Sequence, residues 1–398
     1  MKNGARCYAL MGIYFALNCI TNSFSLFFLK QNGMESNQIG ILMAVSCLLG
    51  GVLQYVAGRL SDSKKSFSWK KQLIIYSGII TALMFIILFS SNMIVTAVFF
   101  GIIVIFSIGM MPLVFSACFD CNYHGYKVNF AFARGLGSLT FALTSFAVYG
   151  LTRNFGDDVV PVVGIIAGAL VLAGSLLMPY ESSGVVQTED KAVSQKNNLA
   201  GLVKTYPFFL VMAIGIGLIL VLQNMFFMFM VDFVEAMGGT RQSIGFAYGI
   251  AAISEIPVMF LYNKLEKIKG MTIERIILIS GLLYILRGVL YLFVFGVPAI
   301  FFLQLMQGAT FGILGPAKSN YAYRKLDKKY LGTGQSIMTV TEVFGQVLSG
   351  LACGAIIVNA GETAAELCGI GFAVAGTAII LFLNMRMRNK KKADKQQE

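Results

Sequence analysis

Charged residues are scarce in this sequence, and their scarcity excludes several kinds of protein. Asp, Glu, Lys and Arg make up only 13% of the 398 residues, whereas a soluble domain carries about 25%. His124 is the only histidine, so imidazoles cannot build a metal site or a catalytic triad. Cys118 and Cys121 precede it, but no second pair follows at zinc spacing, so no metal site is predicted. Phosphate-binding loops, glycine-rich dinucleotide turns and nucleophilic serine elbows are also missing, and we expect no catalytic residues, no cofactor and no ATP-driven pump.

Hydrophobic residues dominate instead, at 57% of the chain. A window of about 20 residues finds about twelve apolar segments. They should be helices, because a helix satisfies its own backbone in lipid, whereas barrel strands would show alternating polarity. The sequence therefore predicts an all-α membrane protein with twelve transmembrane helices. The segments cover residues 7–29, 38–58, 71–91, 93–118, 129–152, 158–179, 206–234, 241–263, 273–295, 297–319, 333–358 and 364–385.

Lys and Arg are concentrated in alternate connections between these segments. The opposite connections hold only Lys30, Arg153 and Arg241. The positive-inside rule then places both termini in the cytoplasm of a multi-pass protein of the cell membrane. The formal net charge of +12 follows from this asymmetry, so it indicates no nucleic-acid partner.

A polar stretch divides the chain into two halves. Residues 181–204 contain Ser, Gln, Asn, Asp and Lys with few large apolar side chains, a composition typical of a flexible linker. The predicted organisation is an N-terminal six-helix half at 1–180, a cytoplasmic linker at 181–204, a C-terminal half at 205–388 and a basic tail at 389–398. Parallel six-helix repeats are a known transporter plan, and we expect a monomer in the lipid bilayer.

Four charged residues lie inside the predicted helices: Arg134, Glu255, Arg287 and Glu342. A charge at the centre of a bilayer costs about 2.5–3.5 kcal/mol even on the most lenient scale. Such residues need a watery cavity, a partner charge or a substrate. Arg287 could serve in coupling or form a purely structural pair with Glu255 or Glu342, because buried pairs of this kind are often neutral for stability.

Amide side chains accompany these charges in the first and seventh predicted helices. Asn18, Asn22, Gln223 and Asn224 need hydrogen-bond partners in hydrocarbon. Substrate hydroxyl groups could provide them, and hydrogen bonds between helices are the alternative.

Several short motifs resemble one family of transporters. Gly58-Arg-Leu-Ser-Asp62 resembles the G-x-L-S-D signature of the major facilitator superfamily, and residues 129–141 resemble the fifth-helix motif of its lactose-permease-like branch, with Arg134 ahead of a G-S-x-x-F run. Ser254-Glu255-Ile-Pro257 and the Gly281 to Arg287 spacing are similar to further elements of that branch. The branch contains proton symporters for oligosaccharides, nucleosides and phenylpropionate, and the resemblance covers essentially the full chain.

This resemblance implies a major facilitator fold of two pseudo-symmetric halves and assigns roles to individual residues. It implies substrate binding by Arg134 and Glu255, and gating by Gly58 and Asp62. Proton coupling is predicted for Glu255 or Glu342 because they are the carboxylates at mid-depth, with Arg287 as the cation that could pair with either. Asn18, Asn22, Asn224 and Gln307 complete the expected substrate site.

The chain also departs from the lactose-permease pattern. Asn224 stands where that pattern has a carboxylate, Gln307 and Thr310 stand where it has His and Glu, and Glu342 stands where it has Lys. The proton relay of the type member therefore cannot be transferred, and lactose is a poor candidate substrate.

The resulting functional prediction is proton-coupled uptake of a small polar solute such as a sugar or a nucleoside. An aromatic-carboxylate symporter is one alternative, because Arg134 and Arg287 together would suit such a substrate. A membrane sensor built on a transporter scaffold is another. Residues 134–150 contain no proline, whereas the antiporter branch has a Gly-Pro motif there, which favours symport over efflux. The first four helices lack a carboxylate at mid-depth, which favours a proton over sodium.

Overall fold

The computed structural model consists of helices and short connections in the residues that it describes and contains no strand there. Most of the predicted linker and the last residue lie outside these residues, and α8 begins at Leu199 within the predicted linker. The described ranges are 2–63, 68–123, 126, 128, 130–156, 158–178, 199–240, 243–327 and 331–397.

The helices before the linker form the first half of the molecule. Their apolar faces are long enough to need burial in lipid or against one another. In chain order they are α1 Lys2–Asn18, α2 Ser25–Gln31, α3 Ser36–Ser63, α4 Trp69–Leu88, α5 Met93–Tyr123, α6 Phe130–Phe155 and α7 Val159–Leu176.

The helices after the linker form the second half. They are α8 Leu199–Thr205, α9 Pro207–Met228, α10 Met230–Ala236, α11 Ser243–Leu265, α12 Ile273–Tyr291, α13 Val297–Gln304, α14 Met306–Lys325, α15 Leu331–Leu348 and α16 Gly354–Gln397. Two π-helical turns, Cys19–Ser23 and Ser349–Cys353, continue α1 and α15.

The helices confirm a multi-pass membrane architecture. Within the described ranges, nine helices are long and apolar enough to cross a membrane, or ten if the pair Gly4–Ser23 and Ser25–Gln31, bent by 47°, is one crossing. Helix α12 is not among them and carries three charged residues, Glu274, Arg275 and Arg287. The stretch Ile337–Arg386 is counted as a single one of these nine helices, although it is kinked at Gly361, where φ is 83°. The number twelve therefore stays a prediction.

Two predicted continuous helices are interrupted. The breaks fall at Phe24 after the first π-helical turn and at Phe229 between α9 and α10, whereas Leu305 between α13 and α14 keeps right-handed helical backbone angles. No proline or glycine stands at these positions. Backbone breaks of this kind are tolerated at membrane depth where they are buried in protein or line a cavity, and discontinuous helices often border transporter sites.

The two ends of the bundle are distinct. We call the linker end the side where α7 ends and α8 begins, and the distal end the side where α2 ends and α3 begins and where α10 ends and α11 begins. The two halves meet along two seams, α3 against α15 and its π-helical turn, and α6 against α11.

Glycines bring the halves close together at the distal end. A side chain on Gly40 or on Gly350 would collide with the backbone carbonyl of the other, and Gly245 packs directly on the backbone of Ser145. The hydroxyl of Ser145 donates a hydrogen bond of 2.7 Å to the carbonyl oxygen of Gly245. Small residues allow this approach of helix backbones.

Candidate functional site

A central cavity lies between the two halves and has a volume of about 220 Å³. Its walls come from α1, α3, α5 and α6 of the first half and from α9, α11, α14 and α15 of the second. The residues predicted to bind substrate, and both predicted mid-depth carboxylates, are on its surface. Its main polar lining is Asn18, Asn22, Gln54, Arg134, Gln223, Asn224, Glu255, Gln307, Glu342 and Gln346.

Arg134 brings a positive charge to the wall contributed by the first half. It lies on the second turn of α6, and one terminal nitrogen donates a hydrogen bond of 3.1 Å to the hydroxyl of Ser138. Its guanidinium carbon is 4.2 Å from the centre of the Phe15 ring, which packs on Gly137 where a side chain would not fit. Among the described residues, no carboxylate lies within ion-pair distance of Arg134. The remaining donors are available to a ligand with hydroxyl or carboxylate oxygens.

Glu255 belongs to a chain of hydrogen bonds that leads away from the cavity. The Nε2 amide of Gln307 donates to Oε1 of Glu255 at 3.0 Å. The other side of the same amide accepts a hydrogen bond of 2.5 Å from Nη1 of Arg287. Gln307 therefore stands between the carboxylate and the guanidinium.

The predicted direct pairing of Arg287 with Glu255 or Glu342 is wrong. Arg287 is fully buried and is not part of the cavity lining. Its Nη2 donates to Oε1 of Gln304 at 2.8 Å, and its guanidinium faces the ring of Phe226 at 5.5 Å. The amide oxygens of Gln304 on α13 and Gln307 on α14 thus accept the hydrogen bonds that a carboxylate was predicted to accept from Arg287.

Glu342 pairs instead with Lys318 on α14. The ammonium group of Lys318 also lies 3.4 Å from the carbonyl oxygen of Met338, and the residue is only 7% exposed. Lys318 is not predicted from the sequence as a mid-helix charge, because it lies at the end of the predicted helix 297–319. The helix continues to Lys325, so Lys318 lies well inside it.

The amides predicted for the site line the cavity, and two of them also bond within their own helices. The Nδ2 of Asn224 donates to the carbonyl oxygen of Leu220 at 2.8 Å, and the Nδ2 of Asn22 lies 3.4 Å from the carbonyl oxygen of Asn18. Asn18 directly precedes the turn Cys19–Ser23 and Asn22 lies within it, and π-helical geometry is frequent at functional sites. Both residues line the cavity.

A group that sequence reasoning missed joins the halves at the distal end. The ammonium of Lys30 lies 2.6 Å from Oδ1 of Asp232 and 3.0 Å from Oε2 of Glu235. The hydroxyl of Ser36 donates to the same Oδ1 of Asp232 at 2.7 Å. We call Lys30, Ser36, Asp232 and Glu235 the distal lock. No sequence motif marks it, because Lys30 and Asp232 belong to different halves.

The predicted gating residues fall outside this description. Gly58 and Asp62 are within α3, but their surroundings lie outside the described residues, as does His124. Elsewhere in the described ranges, no group of three or more potential metal ligands is found.

A helical bundle of two halves around a polar cavity defines a membrane transporter of the major facilitator type. The sequence model of the MFS_1 like family matches residues 8–365, so the chain belongs to this family. Because the family consists of transporters, the prediction that the protein is not an enzyme is confirmed.

Individual relatives are more distant. A putative sugar efflux transporter of Deinococcus radiodurans is 27% identical over 128 residues, which is 32% of this chain and 32% of the relative. The chain thus matches about a third of the length of that relative. The solved structure of a point mutant of nucleoside transporter NupG has a TM-score of 0.80 at 15% identity and covers 96% of this chain and 99% of its own. An auto-inhibited POT family peptide transporter has a TM-score of 0.75 at 13% identity and covers 98% of this chain and 97% of its own. These two likenesses establish the fold.

Proposed function

We propose that this protein is a proton-coupled transporter that takes up a small polar solute of the nucleoside or sugar class by alternating access. The observation that carries the proposal is a cavity between two helical halves in which Arg134 stands on one half and Glu255 on the other. A ligand that contacts both residues links the halves. Its binding can therefore bias their relative movement, as differential affinity for two states requires.

The lining of the cavity supports a ligand with several hydroxyl and amide groups. Asparagine and glutamine each offer a donor and an acceptor, and they come from both halves. The rings of Phe15, Phe141, Phe227 and Phe311 also line the cavity, and flat ring faces suit a nucleobase or the apolar face of a sugar. The names of a nucleoside transporter among the similar structures and of a sugar efflux transporter among the relatives are in line with these two classes.

A symporter for aromatic carboxylates is the second candidate. The unpaired guanidinium of Arg134 beside the ring of Phe15 favours it. Binding of a carboxylate by two arginines would also require Arg287, but that residue is buried among amide oxygens outside the cavity. One arginine rather than two is therefore available to a substrate carboxylate.

The two cavity carboxylates differ in how easily each could carry the coupling proton. Glu342 faces the ammonium of Lys318, and protonating it would leave a buried cation without its partner, which is costly. Glu255 faces a neutral amide, and a neutral carboxyl satisfies that contact as well. Glu255 is therefore the favoured carrier, and its charge would be sensed by Arg287 through Gln307.

The distal lock bears on the direction in which the cavity opens. With Lys30 held by Asp232 and Glu235, the halves are joined at the distal end, which supports a conformation that opens toward the linker end. Under the positive-inside rule that end is cytoplasmic. For uptake, the distal lock must then open so that substrate can enter from outside. It must close again before the substrate is released at the linker end.

A binding screen followed by transport tests the proposal. Purified protein is titrated with nucleosides, sugars and aromatic carboxylates, and the change in melting temperature is recorded for each class. The best ligand is then offered to proteoliposomes with and without an inward proton gradient. We expect a nucleoside or sugar to stabilise the protein and to accumulate only with the gradient. Stabilisation by aromatic carboxylates alone would favour the second candidate, and a ligand that binds without being transported would favour a sensor.

Asp232→Asn is expected to loosen the distal lock. It removes the least exposed acceptor of Lys30, at 4% exposure, and weakens the bond from Ser36. We expect labelling of an Ala252→Cys reporter in the cavity by an external impermeant thiol reagent to rise about tenfold, which corresponds to about 1.4 kcal/mol. Glu362→Gln is the matched control, because Glu362 is at the distal end but outside the lock. Equal labelling of the two variants would contradict a gating role for Asp232.

A further inference from the structure

A series of hydrogen bonds runs from Glu255 in the cavity to the helix that carries two residues of the distal lock. Gln307 donates to Glu255 at 3.0 Å and accepts from Nη1 of Arg287 at 2.5 Å. The other terminal nitrogen of Arg287 donates to Oε1 of Gln304 at 2.8 Å. The Nε2 of Gln304 donates in turn to the sulfur of Met230 at 3.4 Å, and Met230 is the first residue of α10. Side-chain contacts therefore join the cavity carboxylate to α10 without a gap.

Arg287 also lies beside the break between α9 and α10. Its guanidinium carbon is 5.5 Å from the centre of the Phe226 ring on α9, and that ring is 5.4 Å from the ring of Phe233 on α10. The break at Phe229 stands between these two aromatic residues. Phe233 directly follows the lock residue Asp232. A shift of Arg287 would thus be felt on both sides of the break.

The hydrogen bonding of Arg287 leaves room for such a shift. The residue is fully buried, and its Nε atom has no hydrogen-bond partner. Its Nη1 atom is also 3.5 Å from Oε1 of Gln223 and from Oγ1 of Thr310. Within the described ranges, no carboxylate is at ion-pair distance from it. The position of this cation is therefore set by neutral acceptors and by any charge at the far end of Gln307.

A purely structural role would explain only part of this arrangement. Buried charges need hydrogen-bond partners, and the amide oxygen of Gln304 provides one for Arg287. That need does not require the other end of the same amide to contact α10. The contact with Met230 places Gln304 between the buried cation and the segment that holds Lys30 through Asp232.

We propose that Gln304 is a positioning residue that transmits the proton state of Glu255 from Arg287 to the distal lock. The proposal rests on the proton coupling through Glu255 proposed above. When Glu255 is ionised, Gln307 bridges an anion and a cation, and charged partners strengthen both of its hydrogen bonds. A proton taken from water forms an O–H bond on Glu255 and removes the negative end of this series. Arg287 is then held less firmly, and so are Gln304 and α10. The lock consequently opens more easily in acid, which admits substrate together with the proton.

Other ionisable groups could also make the distal end sensitive to pH. At the lock and in the pocket beside it they are Lys30, Glu35, Asp232 and Glu235. On the helices around Glu255 and Arg287 they are Arg134, Lys318, Glu342, Tyr284, Tyr291 and Glu366. Substitution of Glu255 or Gln304 leaves all of these groups in place, so it separates their contribution from that of the proposed relay.

Spin-label distances across the distal end measure the state of the lock. The labels are attached through unnatural amino acids at Phe155 of α6 and Phe295 between α12 and α13, exposed distal positions on opposite halves. In the wild type, we expect the open state to gain about tenfold over the closed state from about pH 8 to about pH 5.5, within the usual range of coupling between two sites. In Glu255→Gln, we expect distances that do not depend on pH. An unresponsive wild type would overturn the proposal. A response that persists in Glu255→Gln would do the same, because the proton would then sit on another group.

Gln304→Glu tests the relay itself. The new carboxylate keeps the acceptor for Nη2 of Arg287 and gives the guanidinium a permanent negative partner, so the proton state of Glu255 should no longer move it. We expect the acid response to disappear while the melting temperature shows a folded protein. A response equal to that of the wild type would overturn the role of Gln304.

Met230→Leu keeps the proposal testable if Gln304→Glu does not fold. Leucine fills a similar volume, and such exchanges are well tolerated in cores, but it cannot accept the hydrogen bond from Gln304. We expect a smaller acid response than in Met225→Leu, which makes the same change at a buried position of α9. Equal responses in these two variants would overturn the link through Gln304.

The distances are recorded without substrate and without a gradient, so they can fail independently of transport. A wild-type protein that accumulates substrate with the proton gradient but shows no acid response overturns the relay alone. Accumulation that needs no proton gradient overturns the proposed coupling, and the relay with it.

Discussion

Arg134→Gln is expected to lower substrate affinity by about thirtyfold or more. Removing one partner of a buried charged hydrogen bond costs about 2–5 kcal/mol, and thirtyfold corresponds to about 2 kcal/mol. We expect this loss of affinity at Arg134, because only Ser138 and the ring of Phe15 contact its guanidinium within the described structure. Isothermal titration with the ligand identified by the screen measures the effect.

Two further variants separate this role from a structural one. Arg153→Gln removes the same charge from the exposed distal end of the same helix and should bind substrate like the wild type. Arg134→Lys keeps the charge but loses the planar fork of donors, so it should restore only part of the affinity. Affinity within twofold of wild type in Arg134→Gln would contradict a direct contact with substrate.

The sequence predicts the helical membrane fold because the apolar segments are long and each must satisfy its own backbone in lipid. It does not predict the breaks at Phe24 and Phe229. Those positions carry no helix-breaking residue, so the interruptions depend on tertiary contacts. One such contact is the 2.7 Å hydrogen bond between Thr21 in the first π-helical turn and Ser107 on α5.

The sequence is also insufficient to predict the partners of the buried charges. Motif and depth indicate that Arg134 and Glu255 belong at a polar site, and both line the cavity. The sequence suggests a carboxylate partner for Arg287, because Glu255 and Glu342 are the mid-depth carboxylates that it shows. Its actual partners, Gln304 and Gln307, could not be chosen without the relative rotation of α12, α13 and α14.

The pair of Lys318 and Glu342 alters what a mutation of Glu342 can reveal. Glu342→Gln alone leaves Lys318 as a buried cation with only a carbonyl oxygen nearby, which is destabilising by about 3–5 kcal/mol. A loss of transport in that variant could reflect misfolding. The variant Lys318→Met combined with Glu342→Gln removes both charges together and is the appropriate test.

Glu255→Gln is expected to abolish uphill accumulation of substrate while preserving downhill exchange. Glutamine can keep the hydrogen bond to Gln307 but cannot gain or lose a proton, so the cycle loses its coupling and not its binding site. Proteoliposomes measure both activities: accumulation driven by a proton gradient, and exchange of labelled for unlabelled substrate without one.

Glu362→Gln, outside the cavity, should accumulate substrate normally. The charge-neutral variant Lys318→Met with Glu342→Gln should retain accumulation if Glu255 is the carrier. If Glu255→Gln, the charge-neutral variant and their combination all still concentrate substrate, neither cavity carboxylate carries the proton, because no protonatable carboxylate would remain at those positions to respond to the gradient.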